Sequence, residues 1–224
     1  MNAQAREKII ADEITNGNYT KALDVIDNIL KKKITIKAEL NLLTFKAKIF
    51  FRQGKFDESY VVAQTIAEKS FKNNLPLYNI YADIFQINFF TVKNNFDPIL
   101  NMILIAKEKL TKINNLSENE KKAVEAGLLY YRSHYFEYHG QYDQALENCF
   151  ASYTIFKELN QFDELTSTLE SLSTYYRIKG EYQKALELLD EALIVQENIK
   201  NPIHLGIINK NMGLIFAFKG DLTK

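Results

Sequence analysis

Gly140-Gln-Tyr-Asp-Gln-Ala-Leu-Glu147 returns 40 residues later as Gly180-Glu-Tyr-Gln-Lys-Ala-Leu-Glu187, with Gly, Tyr, Ala, Leu and Glu at matching offsets. A further step of 40 reaches Gly220-Asp-Leu222. Upstream, Gly17-Asn-Tyr19-Thr-Lys-Ala22 and Gly54-Lys-Phe56 share the pattern, and Asn94-Asn-Phe96 carries it with Asn in place of Gly. Asn is the residue after Gly that best tolerates the left-handed backbone, so this replacement keeps the conformation. Six copies spaced by 37 to 46 residues over a chain of 224 point to a solenoid of repeated supersecondary units.

Each part of the copy has a mechanical reading. The glycine ends one helix at positive φ without a Cβ penalty. The aromatic residue two places on folds back onto that helix, and Ala145 and Ala185 let the two helices of a pair approach closely. Between the turns the periodicity is helical: Leu165, Leu169, Leu172 and Tyr176 recur every three to four residues, as do Tyr182, Ala185, Leu186, Leu189, Ala192 and Leu193. Ser117-Glu-Asn-Glu120 has the form of a capping box, and Asp97-Pro98 and Asn201-Pro202 each set a capping side chain before a proline suited to a first helical turn. The run Lys31, Lys32 and Lys33 falls at the end of a helix, where cations favour the dipole. The spacing predicts helix pairs at 2–16 with 20–33, 35–53 with 57–73, 76–93 with 97–114, 118–139 with 143–159 and 163–179 with 183–199, and a lone helix at 202–219. The units run 2–33, 35–73, 76–114, 118–159 and 163–199, with a half unit at 202–224, all within a single repeat domain over 1–224. One pair cannot bury both of its apolar faces, so neighbours must stack.

Lys plus Arg and Asp plus Glu balance at 28 each, with 46% hydrophobic and 25% charged residues, which describes a folded chain rather than a disordered one. Zero net charge lacks the electrostatic footprint of a nucleic-acid binder. The one cysteine, Cys149, excludes an internal disulfide framework and suits a reducing compartment. Arg6, Glu7, Lys8, Asp12 and Glu13 stand where a secretory signal would need an apolar core. The apolar tracts 78–92 and 99–106 are broken by polar residues or too short to span a bilayer. A cytoplasmic location is expected, with neither nucleic acid nor membrane as partner.

The turn and its flanking residues resemble the tetratricopeptide (TPR) repeat, in the fifth unit through Leu169, Leu172, Tyr176, Gly180, Tyr182, Ala185, Ala192 and Pro202. The resemblance covers essentially the whole chain and is strongest in units four to six. The long spacing is similar to the extended repeats of kinesin light chains, bacterial peptide-sensing regulators and MalT-like regulatory modules. The chain departs from the pattern in having no Trp and in replacing the third turn glycine by Asn94. None of the N-terminal segments that peptide-sensing regulators carry before their repeats is recognisable. The resemblance implies an all-α, right-handed α-solenoid of stacked antiparallel helix pairs, a superhelix whose first helices line a concave groove. Carried onto this sequence, the groove positions are Thr44, Lys48 and Arg52; Ile84, Asn88 and Thr91; Tyr130, His134 and Tyr138; Glu170, Thr174 and Arg177; and Lys210, Leu214 and Phe218. The expected peptide-binding set among them is Lys48, Arg52, Asn88, Tyr130, His134, Tyr138, Arg177 and Lys210, which offers aromatic platforms and cations. The Lys and Asn arrangement of the TPR carboxylate clamp is not reproduced, so recognition of chaperone C-termini is not implied.

No constellation suited to catalysis stands out. His134 and His139 are five apart and do not share a helix face as an i, i+4 metal pair would, so no metal site is expected. There is no glycine-rich phosphate loop and no Gly-x-Ser-x-Gly elbow. Glu137, Glu158, Glu170 and Glu187 read as parts of solvated helix faces, while Tyr131, Tyr135, Tyr142 and Cys149 read as core. The last helix carries Ile203, Leu205, Ile207, Ile208, Met212, Leu214, Ile215, Phe216 and Phe218 and is apolar nearly all round. Terminal repeats normally present a polar outer face, so a cover is expected on helix 202–219: further residues, a second copy in a homodimer, or a partner. The expected function is a non-enzymatic, cofactor-free scaffold or adaptor for a protein or peptide held in the groove, either by itself or as the N-terminal regulatory module of a larger chain. The second reading is a peptide-sensing regulator whose superhelix tightens around a short peptide.

Overall fold

In the computed structural model, which describes residues 3–199 and 201–220, every expected turn passes through one residue of positive φ. Gly17, Gly54, Gly140, Gly180 and Gly220 lie at φ between 71° and 78°, and Asn94 takes the same conformation at 54°. The closure at Gly140 shows the chemistry: the amide of Gln141 donates to the carbonyl of Phe136 at 2.9 Å, and that of Gly140 to Glu137 at 2.9 Å. These two bonds satisfy carbonyls that the helix end leaves without partners. Asn74 and Asn160 make the equivalent turn between one pair and the next, at φ 52° and 53°, a use of Asn that the glycine pattern did not announce.

Eleven α-helices and no strand are found among the described residues, in the all-α class expected. The chain divides into two compact units, Met1–Leu116 and Ser117–Lys224. The first unit holds α1 (Ala3–Thr15), α2 (Tyr19–Leu30), α3 (Ile36–Arg52), α4 (Phe56–Lys72), α5 (Pro76–Val92) and α6 (Ile99–Thr111). The second holds α7 (Glu118–Tyr138), α8 (Tyr142–Glu158), α9 (Phe162–Ile178), α10 (Tyr182–Ile199) and α11 (Pro202–Lys219). Residues 221–224 of the expected half unit lie outside the described residues.

Within the first unit, Ile10 and Ile14 of α1 meet Ala22 and Ile26 of α2 and Leu42 and Ile49 of α3. A second cluster joins Leu40 and Ala47 of α3, Ile66 of α4 and Ala82 of α5. Ser59 takes the place that Ala145 and Ala185 hold after their glycines, and its hydroxyl donates to the Ala47 carbonyl of the paired helix at 2.9 Å. Small size is what the close approach needs, and the buried hydroxyl is satisfied. Within the second unit, Leu165, Leu169 and Tyr176 of α9, Ala185, Leu189 and Ala192 of α10, and Ile208 and Ile215 of α11 form the largest cluster. Beside it, Phe136, Ala145, Cys149, Leu172 and Tyr175 link α7, α8 and α9. Cys149 is fully buried there, as its place on the apolar side of α8 predicts, and burial pushes its thiol ionisation far up.

Helix starts depart from expectation in one place. The Ser117 capping box forms in full, and the Asn201 side chain accepts from the Ile203 amide ahead of Pro202. Asp97 does not cap: α6 begins at Ile99 with Pro98 as its N-cap residue and no side-chain cap bond. The burial of Phe96, together with the turn bond from the Ile99 amide to the Phe96 carbonyl at 3.1 Å, delays the helix past the proline. Tyr142 is likewise not core. It opens α8 and stays 36% exposed, while Leu146, one turn further on, packs against the α7–α9 cluster.

Candidate functional site

In the second unit the first helices of successive pairs, α7, α9 and α11, stand side by side, and polar side chains cross from each to the next. From α7 to α9, the Tyr130 hydroxyl bonds Ser171, and the Tyr175 hydroxyl donates to Glu137 Oε2 at 3.2 Å. Burial pushes the ionisation of both tyrosines far up, so they act as neutral donors. Glu137 Oε2 also lies 3.1 Å from His134 Nδ1, and the His134 ring meets the Tyr130 ring edge-on at 4.6 Å. Tyr130 and His134, one turn apart on α7, are thus in contact, His134 held by Glu137 and Tyr130 by Ser171. Tyr138, a turn beyond, leaves 57% of its surface in solvent.

From α9 to α11 the link is a buried pair. His204 Nδ1 lies 3.0 Å from Glu170 Oε1, with Asp163 Oδ1 at 4.0 Å from the other ring nitrogen. Glu170 is only 8% exposed, which corrects its reading as a solvated carboxylate: α11 covers it. Burial raises its pKa above the ordinary carboxylate value, and the bond to His204 pulls part of that shift back. Glu137, too, is half-buried and bonded rather than a solvated face. At the other end of α9, the Arg177 guanidinium lies 5.5 Å from the centre of the Phe218 ring, within cation–π reach. Arg177 Nε is buried and finds no acceptor among the described residues. Phe218 leaves 60% of its surface exposed, and Lys210, midway along α11, is exposed as well.

In the first unit, α1, α3 and α5 are tied in the same manner. Asn41 of α3 donates to Glu7 of α1 at 2.8 Å, and the Tyr78 hydroxyl of α5 donates to Asn41 at 2.6 Å. Lys48 and Arg52 of α3 and Asn88 of α5 are half-buried on these neighbouring helices. Thr44 and Thr91 turn their hydroxyls back to the Leu40 and Ile87 carbonyls of their own helices, which removes them as donors to a ligand. The expected binding residues therefore fall into two sets, Lys48, Arg52 and Asn88 in one unit and Tyr130, His134, Tyr138, Arg177 and Lys210 in the other. Glu137, which holds His134, and His204, which pairs with Glu170, carry no motif of their own, whereas Glu170 and Phe218 stand at groove positions set by their turn glycines.

Chemically, these faces present rings, amides and cations. Among the described residues no group of three His, Cys, Asp or Glu side chains is placed to hold a metal ion, and no helix is long and apolar enough to cross a membrane.

No protein-family model matches the chain. Photosystem I assembly protein Ycf3 of Prochlorococcus marinus (strain MIT 9301) is 32% identical over 117 residues, covering 52% of this chain and 60% of that protein. The same protein of strain MIT 9215 matches to the same extent. The chain thus spans about 60% of the length of the curated relatives it matches. Among solved structures, a Rap protein complexed with Competence and Sporulation Factor superposes with a TM-score of 0.71 at 16% identity, over 97% of this chain and 65% of that one. BtubC from P. vanneervenii gives 0.55 at 16% identity, over 85% and 78% of the two chains. A kinesin-light-chain-type protein of Podosopora anserina with nearly identical TPR-like repeats gives 0.51 at 13%, over 86% and 93%. Left-handed turn residues, stacked antiparallel pairs and these likenesses agree: by fold, the chain is a TPR-like helical-repeat α-solenoid protein.

Proposed function

We propose that the chain is a non-enzymatic scaffold that binds a protein or peptide along the first-helix faces of its repeats, acting as one repeat domain in the cytoplasm. The observation that carries this reading is Arg177. A half-buried guanidinium with a buried, unbonded Nε is costly, since an unmet buried donor loses its hydration without compensation. A carbonyl or carboxylate from a polypeptide on this face would pair with the outer nitrogens of the same guanidinium and offset part of that cost, and the exposed rings of Tyr138 and Phe218 supply contact area. Within the first unit, Lys48, Arg52 and Asn88 form a set of their own on α3 and α5. The single cysteine supports a reducing compartment. The likeness to an assembly protein and to a Rap protein crystallised with a bound factor supports a binding role over a catalytic one.

Panning a random peptide display library against the chain tests the proposal. Binders should lose at least ten-fold in affinity on Arg177→Ala or Tyr138→Ala and be unaffected by Ile194→Ala on the exposed side of α10. Binders that respond only to Ile194→Ala, or the absence of any binder, would sink it. The regulator reading is favoured by the 97% coverage of this chain by the Rap complex. It predicts in addition that a binder shrinks the hydrodynamic radius, where a plain scaffold leaves it unchanged.

A further inference from the structure

At one edge of the first unit the end of α4 lies beside the start of α3, where Lys69 pairs with Glu39 at 2.8 Å. Lys37 precedes Glu39 by two residues, and Lys31, Lys32 and Lys33 lead from the end of α2 towards it. Phe71 and Lys72 follow Lys69 by two and three residues. Lys31, Lys32, Lys33, Lys37 and Lys72 are all exposed, and none of them holds a carboxylate among the described residues. Glu39 is engaged by Lys69, and Glu68, exposed one turn before Lys72, offsets one of the five charges. The helix dipole explains Lys31, the C-cap residue of α2, and Lys72, in the last turn of α4. It does not explain Lys37, which sits in the first turn of α3 near the positive pole. Nor does it explain Phe71, which leaves 81% of its surface in solvent, more than any other large apolar residue described. Repeats stack through helix faces, and the connections between pairs lie outside that contact, so further repeats would not cover this edge.

We propose that this edge binds the surface of an anionic lipid bilayer, with the five lysines over the headgroups and the Phe71 ring set among them. The contact is peripheral, since no helix among the described residues is long and apolar enough to cross a membrane. The expectation of no membrane partner followed from missing spans and a neutral total, and neither bears on a local patch. The total is neutral because residues 1–116 carry 17 Lys and Arg against 12 Asp and Glu, while residues 117–224 carry 11 against 16. Two features favour a bilayer over a polypeptide or a nucleic acid. The cations are all Lys, flexible point charges that follow a diffuse negative surface, whereas a fixed pattern of phosphates or carboxylates favours the Arg fork. Lys is also depleted from protein interfaces, and a single protruding ring gives far less apolar area than a protein partner needs. At a bilayer that ring enters the headgroup layer while the lysines beside it stay at the charged surface. Each lysine contributes about five-fold to binding at such a surface, so the five act together where one would go unnoticed.

The test is co-sedimentation of the full chain with phosphatidylcholine vesicles that contain phosphatidylserine or lack it. Binding to the anionic vesicles should exceed binding to the neutral ones by about ten-fold or more. The triple variant Lys32→Gln, Lys33→Gln, Lys37→Gln should lose about ten-fold or more of that binding. The triple variant Lys55→Gln, Lys179→Gln, Lys184→Gln removes the same charge from exposed sites elsewhere and should bind as the wild type does. The chain has no Trp, so Phe71→Trp introduces a lone emission reporter, which should shift to the blue on the anionic vesicles. No pelleting, equal pelleting with both vesicle types, equal losses in the two triple variants, or an unshifted emission overturns the proposal. Retention on polyglutamate or single-stranded RNA through the same three lysines, with vesicles left unbound, assigns the edge to another polyanion and also overturns it. Peptide binding at Tyr138 and Arg177, in the second unit, is a separate measurement and stands or falls without this one.

Discussion

Gly180 ends α9 at φ 78°, and a Cβ built on it meets no atom within 4 Å. Any cost of a side chain there is consequently backbone strain alone, uncomplicated by collision. Gly180→Ala should destabilise the second unit by about 1–2 kcal/mol in urea denaturation. Gly180→Asn should cost clearly less, because Asn74, Asn94 and Asn160 already hold that conformation in this chain. Equal costs for Ala and Asn would mean that the turn tolerates no side chain for a reason other than φ. The turn residues were readable at this scale because a left-handed residue narrows the choice to Gly and Asn. Tyr142 was not, since a stripe of aromatic residues gives no sign of where the packed part of a helix begins.

Between elements, the bonds that matter join residues one repeat apart. Glu7–Asn41 and Glu170–His204 are separated by 34 positions, Asn41–Tyr78 by 37 and Glu137–Tyr175 by 38. The same offset carries the surface pairs Asp57–Lys93, Lys122–Glu158 and Asp143–Lys179, each at 36. This offset is the trace that the repeat period leaves on polar residues, and scanning for complementary side chains at 34 to 38 would have paired Glu170 with His204. Hydropathy alone placed Glu170 in solvent because it ignores what the next helix covers. Removing the partner gives a signed prediction. The pKa of Glu170 is raised by burial and pulled down by His204, so His204→Ala raises it further. A carboxyl whose folded pKa exceeds its unfolded value contributes stability below the unfolded value, and loses it as pH rises through the folded one. Against the wild type, His204→Ala should therefore cost little near pH 4 and about 1–3 kcal/mol near pH 7, the penalty of a buried acceptor left unmet. A cost that does not grow with pH in thermal denaturation would mean that Glu170 is not the group feeling the loss.

Across the whole molecule, the helix pairs were legible to within about three residues at each end, because periodicity and caps are local. The division after Leu116 was less so, although it has a sequence trace: the spacing from Asn94 to Gly140, at 46, is the longest between turn copies. Residues 112–117 there join α6 to α7 without a left-handed turn residue, unlike the Asn74 and Asn160 junctions. Each unit has its own apolar clusters, so damage should stay where it is made. Leu169→Ala, at a fully buried site, should cost about 2–5 kcal/mol. Hydrogen exchange should then quicken in α7–α11 while α3 and α4 keep their protection, and Ile66→Ala should do the reverse. Uniform acceleration in both variants would show that the units melt as one. The lone thiol offers a different handle on the same question. Cys149, sealed between α8 and α9 with its ionisation suppressed, is out of reach of an alkylating reagent while the second unit is closed. Every molecule that reacts has opened there first, so the native chain carries a chemical clock that counts those openings without an introduced label.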